Sequence, residues 1–159
     1  MVNSWSEREF LVINDPFGLE RFVAAQSGGT HDCVISELRS GRKRTHWLWF
    51  VFPQLRGLGR SATAQRYGIT GLAEAQAYLQ HPVLGTRLNE CAEVLDALDR
   101  GNSVTDIFGP TDAMKLRSSL TLFAQAAGPG SIFERLIGKY FDGQRDELTL
   151  AMLQSQGVA

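Results

Sequence analysis

Apolar residues along this chain recur mainly at helical spacing, and the residues between the apolar stretches are those of helix ends. After His81-Pro82, the positions Val83, Leu84, Leu88, Cys91, Val94, Leu95 and Leu98 fall on one side. Arg87, Glu90, Glu93, Asp96 and Asp99 fall on the other. That spacing predicts an amphipathic helix, closed by Gly101. Ser103 to Phe108 predicts one turn. Pro110-Thr111-Asp112 then opens a helix to about Ala127 that is apolar around most of its circumference, with Met114, Leu116, Leu120, Leu122 and Phe123. Such a helix belongs at the centre of a core. Gly128-Pro129-Gly130 breaks it. Ser131, with Glu134 three residues on, reads as a capping box for Ile132 to Phe141. Asp146 caps a last helix, Glu147 to about Gln154.

The first half is punctuated in the same way. Asp15-Pro16 predicts the start of a helix over Phe17 to Gln26, ended by Gly28-Gly29. Thr30 caps a helix through Val34, Ile35 and Leu38 that stops at Gly41. Ser61 begins a short piece to Tyr67, and Thr70 caps Gly71 to Leu79. Trp47 to Phe52 stays open: its aromatic and β-branched content suits a strand, and its length suits buried helix equally. The fold class is therefore all-α, with at most one or two short strands. It forms one compact multi-helix domain over residues 1–159, with 1–14 as an extension and the core at about 15–156.

Composition narrows the class without naming a function. The apolar fraction of 43% and charged fraction of 21% are ordinary for a folded protein. The longest apolar run, Trp47 to Phe52, is too short to span a bilayer, and the first residues lack the pattern of a signal peptide. No membrane partner is expected, and a cytoplasmic location is. Cys33 and Cys91 each sit in a helical pattern beside apolar neighbours and read as small core residues.

Charge changes the picture more. From Leu38 to Ala73 there is no Asp or Glu, while Arg39, Arg42, Lys43, Arg44, Arg56, Arg60 and Arg66 give seven positive charges. Nine basic and seventeen acidic residues make up the remainder, so a net charge of −1 conceals a strongly basic window. A local positive field attracts anions such as phosphates. Within the window, Gly57-Leu58-Gly59-Arg60-Ser61 is the candidate anion turn. Glycines let backbone N–H groups face a ligand, Arg56 and Arg60 flank them, and Ser61 adds a hydroxyl. The same glycines equally suit a plain tight turn. Gly57, Gly59 and Ala62 fit the loose dinucleotide spacing, but no βαβ pattern surrounds them, and no Walker A motif occurs. His46 follows Arg42, Lys43, Arg44 and Thr45; cationic neighbours favour a neutral imidazole, which suits a general base. Lys115 and Ser119, four apart, share a face of the central helix and complete the candidate catalytic set with His46. Arg117 is expected to point elsewhere, toward Asp112 or solvent. No Cys/His set stands at metal-ligand spacing, so no metal site is expected.

The run His46-Trp47-Leu48-Trp49-Phe50-Val51-Phe52-Pro53-Gln54 resembles the hallmark of a bacterial family of small, mainly helical proteins of unknown function. Gly57 to Ser61, His81 to Leu88 and Lys115 to Phe123 agree with it. Members are sometimes labelled calpastatin, a disordered inhibitor, which sits badly with a chain patterned for a folded core. The resemblance covers the chain from about Phe17 onward. It implies the helical fold and brings no reaction, cofactor or catalytic residue.

The resulting expectation is a protein that binds a phosphate-bearing, nucleotide-like small ligand, with Arg42, Arg44, Arg56, Gly57, Gly59, Arg60 and Ser61 around it. Two alternatives stand beside it. The basic 39–66 surface suits a protein- or nucleic-acid-binding adaptor. Or its cations are purely structural and pair with the acidic face from Glu90 to Asp99.

Overall fold

The computed structural model describes residues 15–157, in which nine helices are present and no sheet. The proposed extension 1–14 lies outside the described residues. The helices are α1 (Glu20–Ala25), α2 (Thr30–Arg39), α3 (Leu48–Val51), α4 (Ala62–Arg66), α5 (Leu72–Gln80), α6 (Leu84–Ala97), α7 (Val104–Ala127), α8 (Ile132–Phe141) and α9 (Glu147–Ser155). The all-α expectation holds. Among the described residues the one β-type contact is an isolated parallel bridge between Leu55 and Ile69.

The core is built on α7, against which α3, α5, α8 and α9 pack, while α6 gathers α2, α5 and α8. Leu116, Leu120, Leu122 and Phe123 are fully buried, as their all-round apolar pattern requires. Met114 departs from that expectation and is exposed, because it falls on the edge of α7 that no other helix covers. α7 is broken at Gly109, whose φ of +80° and ψ of +162° are not helical. Pro110 thus opens a new helix, where its missing N–H costs nothing.

Caps explain most boundaries. Ser61, Ser103, Ser131 and Asp146 accept from the backbone N–H three residues on. His81 Nδ1 accepts from the N–H groups of Val83 and Leu84, which starts α6. Three boundaries are corrected. Asp15 caps from a distance, taking the N–H groups of Leu19 and Glu20, so α1 starts at Glu20 and not at Phe17. Gly29, in the left-handed region, holds the N-cap place of α2 instead of Thr30. Thr70 does not cap α5, because its N–H and hydroxyl both donate to Glu74.

Trp47 to Phe52 resolves as a single helical turn, α3, with Trp47, Leu48, Val51 and Phe52 buried. One turn does not hold itself together in water. It is held by that burial, at about 1.5–3 kcal/mol for each large side chain, and by a polar pin. The Phe50 carbonyl accepts from Gln26 Nε2 (2.6 Å) and from the Tyr78 hydroxyl (3.3 Å). Gln26 also donates to Tyr78 inside the core, and burial pushes the Tyr78 phenol well up.

The two cysteines separate. Cys91 is buried, with its thiol pushed up to about 12 by burial and then by the Glu90 charge, which leaves it inert. Cys33 was expected in the core but is exposed, because α2 turns that face to solvent.

Candidate functional site

The two ends of the acid-free window are organised by acids just outside it. Before the window, Glu37 accepts from the N–H groups of Arg44 and Thr45, the Thr45 hydroxyl and the Trp47 indole. Burial alone would push its carboxyl up. The hydrogen bonds from Thr45, Arg44 and Trp47 outweigh that and hold it down at about 2. Glu37 thereby folds the turn that displays Arg42, Arg44 and His46, all three exposed. Lys43 turns the other way, to Asp112 at 2.8 Å, with its ammonium over the Trp47 ring.

After the window, Glu74 is only 1% exposed and pairs with Arg21 at 2.8 Å. The Arg21 guanidinium also donates to the carbonyls of Phe17, Gly18, Arg66 and Gly68. Its five N–H donors thus meet five acceptors. These bonds secure the far end of residues 55–69, which carry the glycine turn. Gly57, at φ +104°, stands in the left-handed region that favours glycine. Gly59 is required by crowding, since a Cβ there would lie 2.6 Å from the Ala64 Cβ. Arg56, Gly57, Arg60 and Ser61 are exposed, and the Ser61 hydroxyl is used to cap α4.

Leu58 and Gly59 form one wall of a groove of about 260 Å³, and Lys115, Arg117 and Ser118 of α7 form the other. Asp146 closes its end. Lys115 lies with its ammonium 5.2 Å from the Trp49 ring centroid and has no carboxylate within 4.0 Å among the described residues. Arg117 Nη2 stands 4.0 Å from Asp146 Oδ1, and the buried Arg117 Nε–H has no partner. A buried donor normally has one. Asp146 Oδ2 is occupied by the Ser118 hydroxyl and by the N–H and hydroxyl of Thr149. Met114 and Leu148, among the described residues the two large apolar side chains most exposed to solvent, both line the groove. A second hollow, of about 810 Å³, adjoins it across Arg117, Asp146 and Leu148.

The structure thus brings Gly59 and Lys115 together, while Arg42, Arg44, His46, Arg56, Gly57, Arg60 and Ser61 lie outside the groove lining. Ser119 is fully buried, and its hydroxyl has no partner. A reactant reaches it only by opening the core; Ser118, one residue earlier, is the hydroxyl at the groove. Arg117 faces Asp146, not Asp112, because Lys43 takes Asp112 and the start of α9 docks on α7 through the Asp146 N–H to Thr121 Oγ1 bond (2.9 Å). The helical spacing of Lys115 and Ser118 marks that face in sequence; nothing local marks Arg117. Nor do the basic residues of the window pair with the acidic face of α6, whose Asp96 and Glu90 are met by Arg135 and His31. Arg39 shares a hollow with Glu90 and Glu93 without an ion pair, and among the seven cations of the window only Lys43 has a carboxylate within 4.0 Å among the described residues. Among the described residues no three His, Cys, Asp or Glu gather as metal ligands, and no helix is long and apolar enough to cross a membrane.

Comparison with known proteins agrees with this architecture. The chain is similar to the conserved hypothetical protein Rv1873 from Mycobacterium tuberculosis, known from a crystal structure. The two are 54% identical with a TM-score of 0.85, over 88% of this chain and 99% of that one. No curated protein matches. Neither likeness found carries the calpastatin label. The family described as "Protein of unknown function (DUF1810)" matches residues 16–153, nearly the whole chain, and the protein belongs to that family.

Proposed function

We propose that this protein binds a phosphate-bearing small molecule in the groove between the glycine turn and α7. One observation carries the reading: Lys115, without a carboxylate within 4.0 Å among the described residues, and Arg117, no closer than 4.0 Å to Asp146, line the groove from the same helix. A phosphate oxygen supplies both what they lack, a negative charge and a strong acceptor. Gly59 lets the opposite wall approach closely, and the Leu58, Met114 and Leu148 side chains offer apolar contact to the rest of the ligand. The Ser118 hydroxyl, already on Asp146, fixes the end wall. In this reading Lys115 and Arg117 bind, and chemistry by His46 needs a ligand long enough to reach beyond the groove.

Thermal unfolding at low ionic strength tests it, with inorganic phosphate and a panel of nucleotides as probes. A ligand at 100 times its Kd should add about 2.7 kcal/mol of stability. Lys115→Ala should remove most of that gain. No shift with any probe near saturation sinks the proposal.

A further inference from the structure

Residues 55–69 are a closed loop. The Arg56 N–H donates to the Ile69 carbonyl (2.8 Å) and the Ile69 N–H to the Gln54 carbonyl (2.9 Å), so the two arms meet at the base. No side chain fits at Gly68, where a Cβ would stand 2.7 Å from Arg56 Cα. Arg21 holds the loop through the Arg66 and Gly68 carbonyls. α9 supports it through Met152, whose Cε would lie 3.3 Å from a Cβ at Gly57. The loop backbone is a fixed platform from which its side chains extend.

It displays charge of one sign. Arg56, Arg60 and Arg66 are exposed, the loop contains no Asp or Glu, and none of the three has a carboxylate within 4.0 Å among the described residues. Glu74, the acid at its base, is turned inward and used by Arg21 and Thr70. Three like charges on so short a platform repel one another and raise the local potential. Leu58 and Gly59, which line the groove, lie between Arg56 and Arg60 in the chain, so the two guanidiniums flank that wall in sequence while standing outside the lining itself. A single phosphate at Lys115 and Arg117 leaves all three guanidiniums unmatched.

Resting on the groove as a phosphate site, we infer that its ligand is an oligophosphate. One phosphate sits at Lys115 and Arg117, and the following ones lie along Arg60 and Arg56 on the loop. The chain of phosphates is the element recognised, and the loop reads its length.

Calorimetric titration with orthophosphate and with tripolyphosphate at about 50 mM salt measures this as a ratio of affinities. Tripolyphosphate should bind about tenfold tighter or more, and Arg56→Ala with Arg60→Ala should bring the ratio close to one. The affinity for tripolyphosphate should also depend less steeply on salt once the substitutions remove guanidinium–phosphate pairings. Both positions are exposed, so an unchanged thermal midpoint verifies that the variant is folded. A wild-type ratio near one, or a ratio that survives the double substitution, overturns the inference. If orthophosphate still binds in a Lys115-dependent way, the groove reading stands without it. A ratio that persists in Lys115→Ala with Arg117→Ala sinks the groove reading instead and leaves the loop as the binding element. No binding of either anion overturns both.

Discussion

Residues 47–52 and residues 55–69 share one acid-free window and are built for opposite surroundings. The first turns its side chains inward. Trp47, Leu48, Val51 and Phe52 are buried, and the Phe50 carbonyl is pinned by Gln26 and Tyr78. The second buries only its ends, Leu55 and Ile69, with Tyr67 packed on Phe22 and Phe50; Arg56, Arg60 and Arg66 point outward, and its backbone is held through the Leu55–Ile69 bridge and the guanidinium of Arg21. Burial stabilises one by side-chain contact; in the other, hydrogen bonds to main-chain carbonyls add to the buried ends and leave the three arginines without carboxylate partners among the described residues. The difference separates fold from recognition within a single composition. A stretch held by its backbone is free to vary in what it displays.

Substitutions that trade one kind of support for the other test this contrast. The largest effect is expected at Phe52→Ala, about 3–5 kcal/mol of stability from a fully enclosed ring, read from urea unfolding. A loss below about 1 kcal/mol would place the aromatic half outside the core. Glu74→Ala follows, at about 3 kcal/mol, because it leaves the half-buried Arg21 guanidinium beside an empty partner. Its particular consequence is local: hydrogen exchange at the Arg56 and Ile69 amides should speed up more than at α8. Equal acceleration everywhere would mean that Arg21 supports the whole fold and not this loop.

Glu37→Gln comes third, at about 1–2 kcal/mol near neutral pH, the scale of hydrogen bonds to a charged group. Its pH dependence has a definite sign. The folded carboxyl is held at about 2, below its ordinary 4.5, so its contribution is fully present above about 4.5. That contribution is lost as pH falls toward 2. The stability gap between wild type and Glu37→Gln should therefore close across that interval, as followed by thermal unfolding at stepped pH. A gap that stays constant to pH 2 contradicts it. The smallest effect on stability belongs to Arg60→Ala, within about 0.5 kcal/mol, as for an exposed side chain without partners. A large loss there would make the loop arginines structural and erase the contrast.

The sequence disclosed the parts governed by local chemistry. Ser61, Ser131 and Asp146 are caps because an oxygen three residues ahead of a free N–H is a local fact, and the Gly109-Pro110 break is local in the same sense. Trp47 to Phe52 could not be decided from its own residues, since Gln26 and Tyr78 decide it from 24 and 28 positions away. Thr30 and Thr70 read as caps by type, but backbone geometry at Gly29 and the carboxylate of Glu74 took those places. At the candidate site, Gly59 and Lys115 were visible as unusual residues on separate elements. That they share a groove, and that Arg117 and Ser118 join them, depends on how α9 seats Asp146 against α7.

The chain has three lysines, Lys43, Lys115 and Lys139, and each ammonium lies over an aromatic ring. Lys43 is consumed by Asp112 and is 6% exposed, and Lys139 closes the end of α6 by donating to the carbonyls of Leu95, Asp96 and Leu98. Lys115 alone is committed to neither an acid nor a helix end. An acylating reagent meeting the native protein would find one side-chain amine open to it, and that amine stands in the groove. A dye coupled there would report what enters, from a chain in which no residue had been changed to accept it.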